Sequence, residues 1–288
     1  MGTLYDRFDR RWKIWMLIPL ALLVISIAII ASNIITTGYF MDRSVEFSGG
    51  KIISVGVDVV NLPELRQALP YATIHLVTGI TNTLQVEVSF EKNETEIFNT
   101  IQNHAHIIGL PTTKAVGPAL GEIFFNQAQL AIILAFIFMA IVVFIIFRSF
   151  VPSGIVLLCA GTEILFSIAI SSLLGIQLSL PVLAALLTII GYSVDTDILL
   201  TTELLKSSRE EVKDNIRKAA KTGLTMSFTT IVVLLSLYFV SGSFILEQMA
   251  LVILIGILID MPATWLTNAG ILRWWIVRKE KKRAEKNE

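Results

Sequence analysis

Long apolar runs separated by short polar connections dominate this chain of 288 residues. A membrane-crossing helix needs about 20 largely apolar residues. Stretches at 14–35, 128–147, 151–174, 180–202, 224–240 and 244–266 meet that requirement, which predicts six spans. The first has a longer apolar core than a cleavable signal, and the RFDRRWK before it mixes both signs. It reads as an uncleaved span.

Between the first two spans the pattern changes to short alternating runs. KIISVGVDV at 51–59 reads as a strand, LPELRQAL at 62–69 as a helix, and ATIHLVT at 72–78 and TLQVEVS at 83–89 as strands. ETEIFNTIQNHAHII at 94–108 reads as a helix and TTKAVG at 112–117 as a last strand. That order, β-α-β-β-α-β, is the ferredoxin-like one. A hairpin is predicted at GITN, 79–82. The predicted fold is thus an α-helical membrane protein with an α+β domain between its first two spans. Its divisions are 1–40 (terminus and first span), 41–126 (domain), 127–269 (spans two to six) and 270–288 (basic tail).

Composition supports this: 54% of residues are hydrophobic and 16% charged, against about a quarter charged in a soluble domain. The formal net charge of 0 conceals a segregation by side. Arg10, Arg11 and Lys13 precede span one, Arg148 follows span two, a basic cluster from Lys206 to Lys221 follows span four, and RWWIVRKEKKR follows span six. The short connections GIQLS near Gly175 and SGS at Ser241 carry no Lys or Arg, which predicts cytoplasmic termini and an extracytoplasmic 41–126 in a multi-pass cell-membrane protein. A nucleic-acid binder is not supported. Cys159 is the single cysteine, and the three histidines lie in the polar section, so neither disulfide framework nor zinc spacing is present. The sequence contains no Walker A pattern, nucleophile elbow or dinucleotide fingerprint, so catalytic residues, metals and cofactors are not expected.

The candidate chemistry lies in the spans. Glu163, Asp195, Asp197 and Asp260 sit at membrane depth, where one charge costs roughly 2.5–3.5 kcal/mol at a helix centre. No base lies deep enough in a span to pair with them. They are expected to be protonated, to hold water or a cation, or to meet a base from another chain; hydrogen bonding as neutral acids is the plainer alternative. Asp195 and Asp197 stand roughly 200° apart around a helix, which predicts different partners, one toward spans five and six and one toward a partner chain or crevice. Gly191, one turn before Asp195, would let another helix approach. Thr225, Ser227, Thr229, Thr230 and Ser236 of span five are candidates to solvate an acid. Lys221 is expected to reach lipid headgroups or else a nearby acid. ELLKSSREEVKDNIRKAAK at 203–221 is predicted to form an interfacial helix, and Asn93-Glu94-Thr95 is a sequon on the outer domain.

One span, one small outer domain and five further spans resemble the half-unit of the resistance-nodulation-division superfamily. Three motifs resemble its SecF family, which serves Sec protein export. VEFSGG, 45–50, is similar to the family's D-F-x-G-G, with Glu46 in place of aspartate before Phe47, Gly49 and Gly50. GPALGEIFFNQA, 117–128, resembles V-G-P-x-x-G-x-x-x-x-x-x-A and brings Gly117, Pro118 and Gly121. GYSVDTDILL, 191–200, resembles the bacterial G-Y-S-[IL]-N-D-T-V-V-V: Gly191 and Tyr192 match, while Asp195, Thr196 and Asp197 keep a polar trio with displaced charges. Thr162 and Glu163 stand near a bacterial His-Asp, and the bacterial arginine of span five falls near Lys221 or Thr222. Asp260 has no bacterial counterpart in this correspondence, and the pattern looks like the archaeal branch.

The resemblance implies a complex with SecD, a paralogue of the same half-unit, and association with the SecY channel, a translocating preprotein and membrane lipid. It implies use of a proton or sodium gradient, with Asp195, Asp197, Thr196, Glu163, Asp260 and Lys221 as ion-pathway candidates. A gradient-coupled exporter of small molecules or lipids and a passive translocon scaffold are the alternatives.

Overall fold

The structure, a computed structural model, describes residues 15–77, 82–208, 211–241 and 243–287, with 280–287 as backbone only. The hairpin turn predicted at 79–82 falls mostly outside these residues, as do Arg10, Arg11 and Lys13. Six helices among them are long and apolar enough to cross a membrane.

Helix α1 (Leu17–Thr37) leads through a single turn, α2 (Val45–Ser48), into the domain. The domain comprises β1 (Gly50–Val60), α3 (Leu62–Ala68), β2 (Thr73–Val77), β3 (Asn82–Val88), α4 (Glu94–His104) and β4 (Ala105–Val116). Its sheet order is β2-β3-β1-β4 with every pair antiparallel, the arrangement that the predicted β-α-β-β-α-β order gives. Alternate residues of β1 and β3 (Ile53, Val55, Val57; Leu84, Val86, Val88) point to one face and bury against Leu65, Ile97 and Ile101 of the two helices. Asn61 and Asn93 cap those helices through their side-chain oxygens, which gives the sequon asparagine a structural task.

The second domain helix stops at His104, four residues earlier than predicted. Ala105 pairs with Val60 and Ile107 with Val57, so ladder bonds capture the segment AHII that helical periodicity had claimed. Edge strand β2 leans on the membrane bundle: His75 stacks on Phe244, with ring centroids 4.0 Å apart. Burial, and then the nearby Arg66 charge, lower the His75 pKa to about 4 from the ordinary 6.5. The docked ring is therefore neutral, and docking is fully favoured above the free pKa of about 6.5 and lost as pH falls from there toward about 4. The protection factors of the β2 amides, measured against the intrinsic exchange rate at each pH, are expected to fall between about pH 7 and pH 5 in the intact chain, and His75→Phe is expected to abolish that fall.

The membrane part continues with α5 (Pro118–Phe147), α6 (Phe150–Leu173), α7 (Leu180–Leu205), α8 (Val212–Val240) and α9 (Phe244–Pro262). A π-helical segment, Ala263–Asn268, then joins α9 to α10 (Ala269–Asn287). Helix α5 starts ten residues before the predicted span, and α8 starts at Val212, which corrects the predicted interfacial helix. The segment 203–221 is divided: its start ends α7, and its basic part is the opening of α8, continuous with span five. The division lies at Ser208, whose N–H and hydroxyl both donate to Glu211. This resembles one half of a capping box. Those bonds hold the Glu211 carboxyl below the usual glutamate range. The sixth span likewise runs on as helix beyond 266 rather than ending there.

Candidate functional site: a buried carboxyl cluster

Helix α7 packs against α5, α6, α8 and α9, so it occupies the middle of the bundle. Its 100° step separates the two aspartates as predicted: Asp195 is exposed and Asp197 is fully buried. Ala184, Thr188, Gly191 and Asp195 form one exposed stripe, and no heavy atom stands within 4 Å of where a Cβ on Gly191 would lie. The close helix approach predicted at Gly191 therefore does not occur within this chain.

Asp197 meets the sixth span. Asn268 Nδ2 donates to Asp197 Oδ1 at 2.6 Å, and Thr264 Oγ1 lies 3.0 Å from that same oxygen. Thr264 Oγ1 also lies 3.0 Å from Asp260 Oδ1, which Thr196 Oγ1 approaches at 3.0 Å. A hydroxyl has one proton to give. For both Thr264 contacts to be hydrogen bonds, one of the two carboxyl groups must itself donate. The two Oδ1 atoms are at most about 6 Å apart, and at an effective dielectric of about 20 two full charges there would repel by about 3 kcal/mol. A proton or another cation held between them removes that cost.

Glu163 of α6, fully buried, lies beside Asp260, Asp197 and Ser193, although neither of its oxygens reaches hydrogen-bond geometry. No Lys, Arg or His is buried among the described residues, so no base within the cluster balances these three acids.

Sequence and packing explain how the groups converge. Asp260, Thr264 and Asn268 recur every fourth residue along the sixth span, across Pro262. Proline supplies no N–H to the preceding turn, and the helix takes up a π segment immediately after it, a departure that often marks a functional position. Gly256, one turn before Asp260, lets α7 come close: a Cβ there would lie 2.6 Å from Ile189 side-chain atoms.

Several predicted residues lie elsewhere. Thr225, Thr229 and Thr230 bond to carbonyls of their own helix, and Ser236 is exposed. Ser227 is buried but pairs with the Tyr192 hydroxyl. Span five thus does not solvate the acids; Thr196 and Thr264 do. Lys221 is exposed and forms no ion pair with them. Thr264 and Asn268 were not singled out from sequence, although their spacing from Asp260 was visible there.

Two of the three family motifs, 45–50 and 117–128, meet at the domain end of the bundle. Gly49 (φ +78°) lies against Pro118, and a Cβ on it would come 2.5 Å from Pro118 Cα; one on Gly121 would come 2.7 Å from the Gly49 nitrogen. Just beyond, Gly50 pairs with Val116, so the strands that leave and re-enter the bundle begin as a ladder. Phe47 is fully buried and packs on Phe125. Gly117 precedes α5 as its cap residue, with Pro118 in the first turn. Glu46 is more than a motif position: its Oε2 accepts the Leu180 N–H at 2.7 Å, at the first turn of α7. Asp42 and Ser44 bond the backbone of Leu178. The domain base is thereby tied to the helix that carries Asp195 and Asp197.

A family model described as protein export membrane protein SecD/SecF, C-terminal, matches residues 95–278. The protein-export membrane protein SecF of Pyrococcus furiosus is 36% identical over 270 residues, which are 92% of this chain and 91% of that one. That of Methanothermobacter thermautotrophicus is 35% identical over 284 residues, 95% and 96% of the two chains. A crystal structure of SecDF, a translocon-associated membrane protein from Thermus thermophilus, matches 93% of this chain with a TM-score of 0.76 at 22% identity. The match covers 38% of the SecDF chain, so it speaks to the shared fold of one part. With its motifs, its element order and a similarity that spans more than nine tenths of both chains in agreement, this chain belongs to the SecF family of protein-export membrane proteins.

Proposed function

We propose that this SecF-family subunit couples an ion gradient to preprotein export by loading and unloading its buried carboxyl cluster. The observation that carries this reading is the Asp197–Thr264–Asp260 arrangement: two buried acids share one hydroxyl, with no buried base among the described residues to neutralise them. Protons or sodium ions fit the role. A potential of 100 mV supplies about 2.3 kcal/mol per charge, comparable to the repulsion of about 3 kcal/mol between the two acids when both are charged. That suffices to shift two packings of α7 against the sixth span, not to unfold a domain.

In this reading the termini and basic connections face the cytoplasm and 41–126 faces outward. The subunit carries out no covalent chemistry. A shift of α7 is passed to the outer domain through Glu46 and the glycine junction, and the domain acts on preprotein emerging from a SecY-type channel. The exposed stripe from Ala184 to Asp195 supports a second half-unit as partner, a SecD-type paralogue that covers Asp195 and shields it from lipid. Lys221 lies at the lipid surface.

Infrared difference spectroscopy of the reconstituted protein tests the ion-loading step. The carboxylic-acid C=O signal is expected to change on a pH or sodium jump, and Asp197→Asn with Asp260→Asn is expected to remove that change. A response identical in the double variant would refute this reading.

A further inference from the structure

Ser167 and Ser171 lie one and two turns from Glu163 on α6, toward the domain end, and are 0% and 1% exposed. Buried helical hydroxyls usually return to a backbone carbonyl one turn back, as Ser26 and Thr162 do here. The hydroxyls of Ser167 and Ser171 make no such bond and have no other hydrogen-bond partner among the described residues, and neither oxygen of Glu163 below them has one. Leaving a buried polar group unpaired costs about 1–3 kcal/mol. Three such residues in succession at i, i+4 and i+8 on one helix form a line rather than an isolated lapse.

This line continues the cluster. Glu163 lies beside Ser193 and Asp260. Ser193 and Thr201 flank Asp197 one turn to either side on α7, and their hydroxyls are likewise buried and unpaired. Helix α6 runs opposite to α7 and α9, so its serines extend the polar line toward the domain end, where the α7 and α9 columns have become apolar.

We propose that Ser171 and Ser167 form a hydrated access path through which the coupling cation reaches Glu163 and then the Asp260–Asp197 pair from the domain side. This rests on the ion-coupling function argued above. The serine oxygens are suited to hold water or to replace part of a cation's water shell, so both protons and sodium ions fit. Separate pH and sodium gradients distinguish them.

The test uses the full chain in membrane vesicles with its own partners, in a Cys159→Ala background whose activity is the reference. Ser171→Cys and Ser167→Cys are expected to react with a small charged methanethiosulfonate applied from the domain side. Ala169→Cys, equally buried on the same helix, is expected to react at least about tenfold more slowly, the equivalent of one lost hydrogen bond. Ser167→Ala with Ser171→Ala is expected to slow ion flux about tenfold under one of the two gradients. Serine-position thiols no more reactive than that at 169, or unchanged flux in the double alanine variant while Asp197→Asn blocks it, would overturn the path and leave the coupling function standing. Unchanged flux with Asp197→Asn as well would remove the coupling function itself.

Discussion

Gly49→Ala and Gly121→Ala are each expected to destabilise the domain junction by about 2–4 kcal/mol, enough to unfold or degrade much of the chain. Each clash involves main-chain atoms: Pro118 Cα at 2.5 Å from one new Cβ, and the Gly49 nitrogen at 2.7 Å from the other. Backbone cannot rotate aside as a side chain can, and Gly49 adds a positive φ that L-residues avoid. The two should not add when combined, because both act by forcing apart the same crossing. Gly191→Ala is the control. A Cβ there meets nothing within this chain, so the isolated subunit should keep its stability while partner association weakens. Thermal unfolding in detergent, with protease resistance of the domain, measures all three.

The domain was largely legible in the sequence because half-buried strands alternate with period two, which few other structures imitate. Its one displaced boundary, at His104, lay where helical and strand periodicities overlap and tertiary pairing decided. The spans were legible as apolar runs, but their ends were not. Nothing local distinguishes a helix that stops at the membrane from one that continues as a polar helix, as α8 and α10 do. The opposite faces of Asp195 and Asp197 followed from helix geometry alone. The partners of Asp197 required knowing which helix lies beside it, and span six, rather than the hydroxyl-rich span five, supplies them. Glu46 shows the same limit: its motif was visible, while its bond to Leu180 spans 134 residues of sequence.

The second large effect separates the two aspartates. Asp197→Asn keeps the shape and an amide oxygen to accept from Asn268 or Thr264, but it cannot take up or release a proton. It is expected to preserve folding while removing the gradient-dependent increment of export. Asp195→Asn alters an exposed group that makes no hydrogen bond or ion pair among the described residues. Its expected effect is on association with the partner half-unit, with ion exchange at the buried pair intact. Glu163→Gln is expected to slow exchange without altering the Asp197–Thr264–Asp260 contacts.

Ion coupling through the buried carboxyl pair is measured most directly by preprotein export in vesicles with and without an imposed ion gradient, comparing the native chain with Asp197→Asn combined with Asp260→Asn. The double variant is expected to assemble normally and to export at the rate the native chain shows without a gradient. Full stimulation of the double variant by the gradient would contradict that coupling.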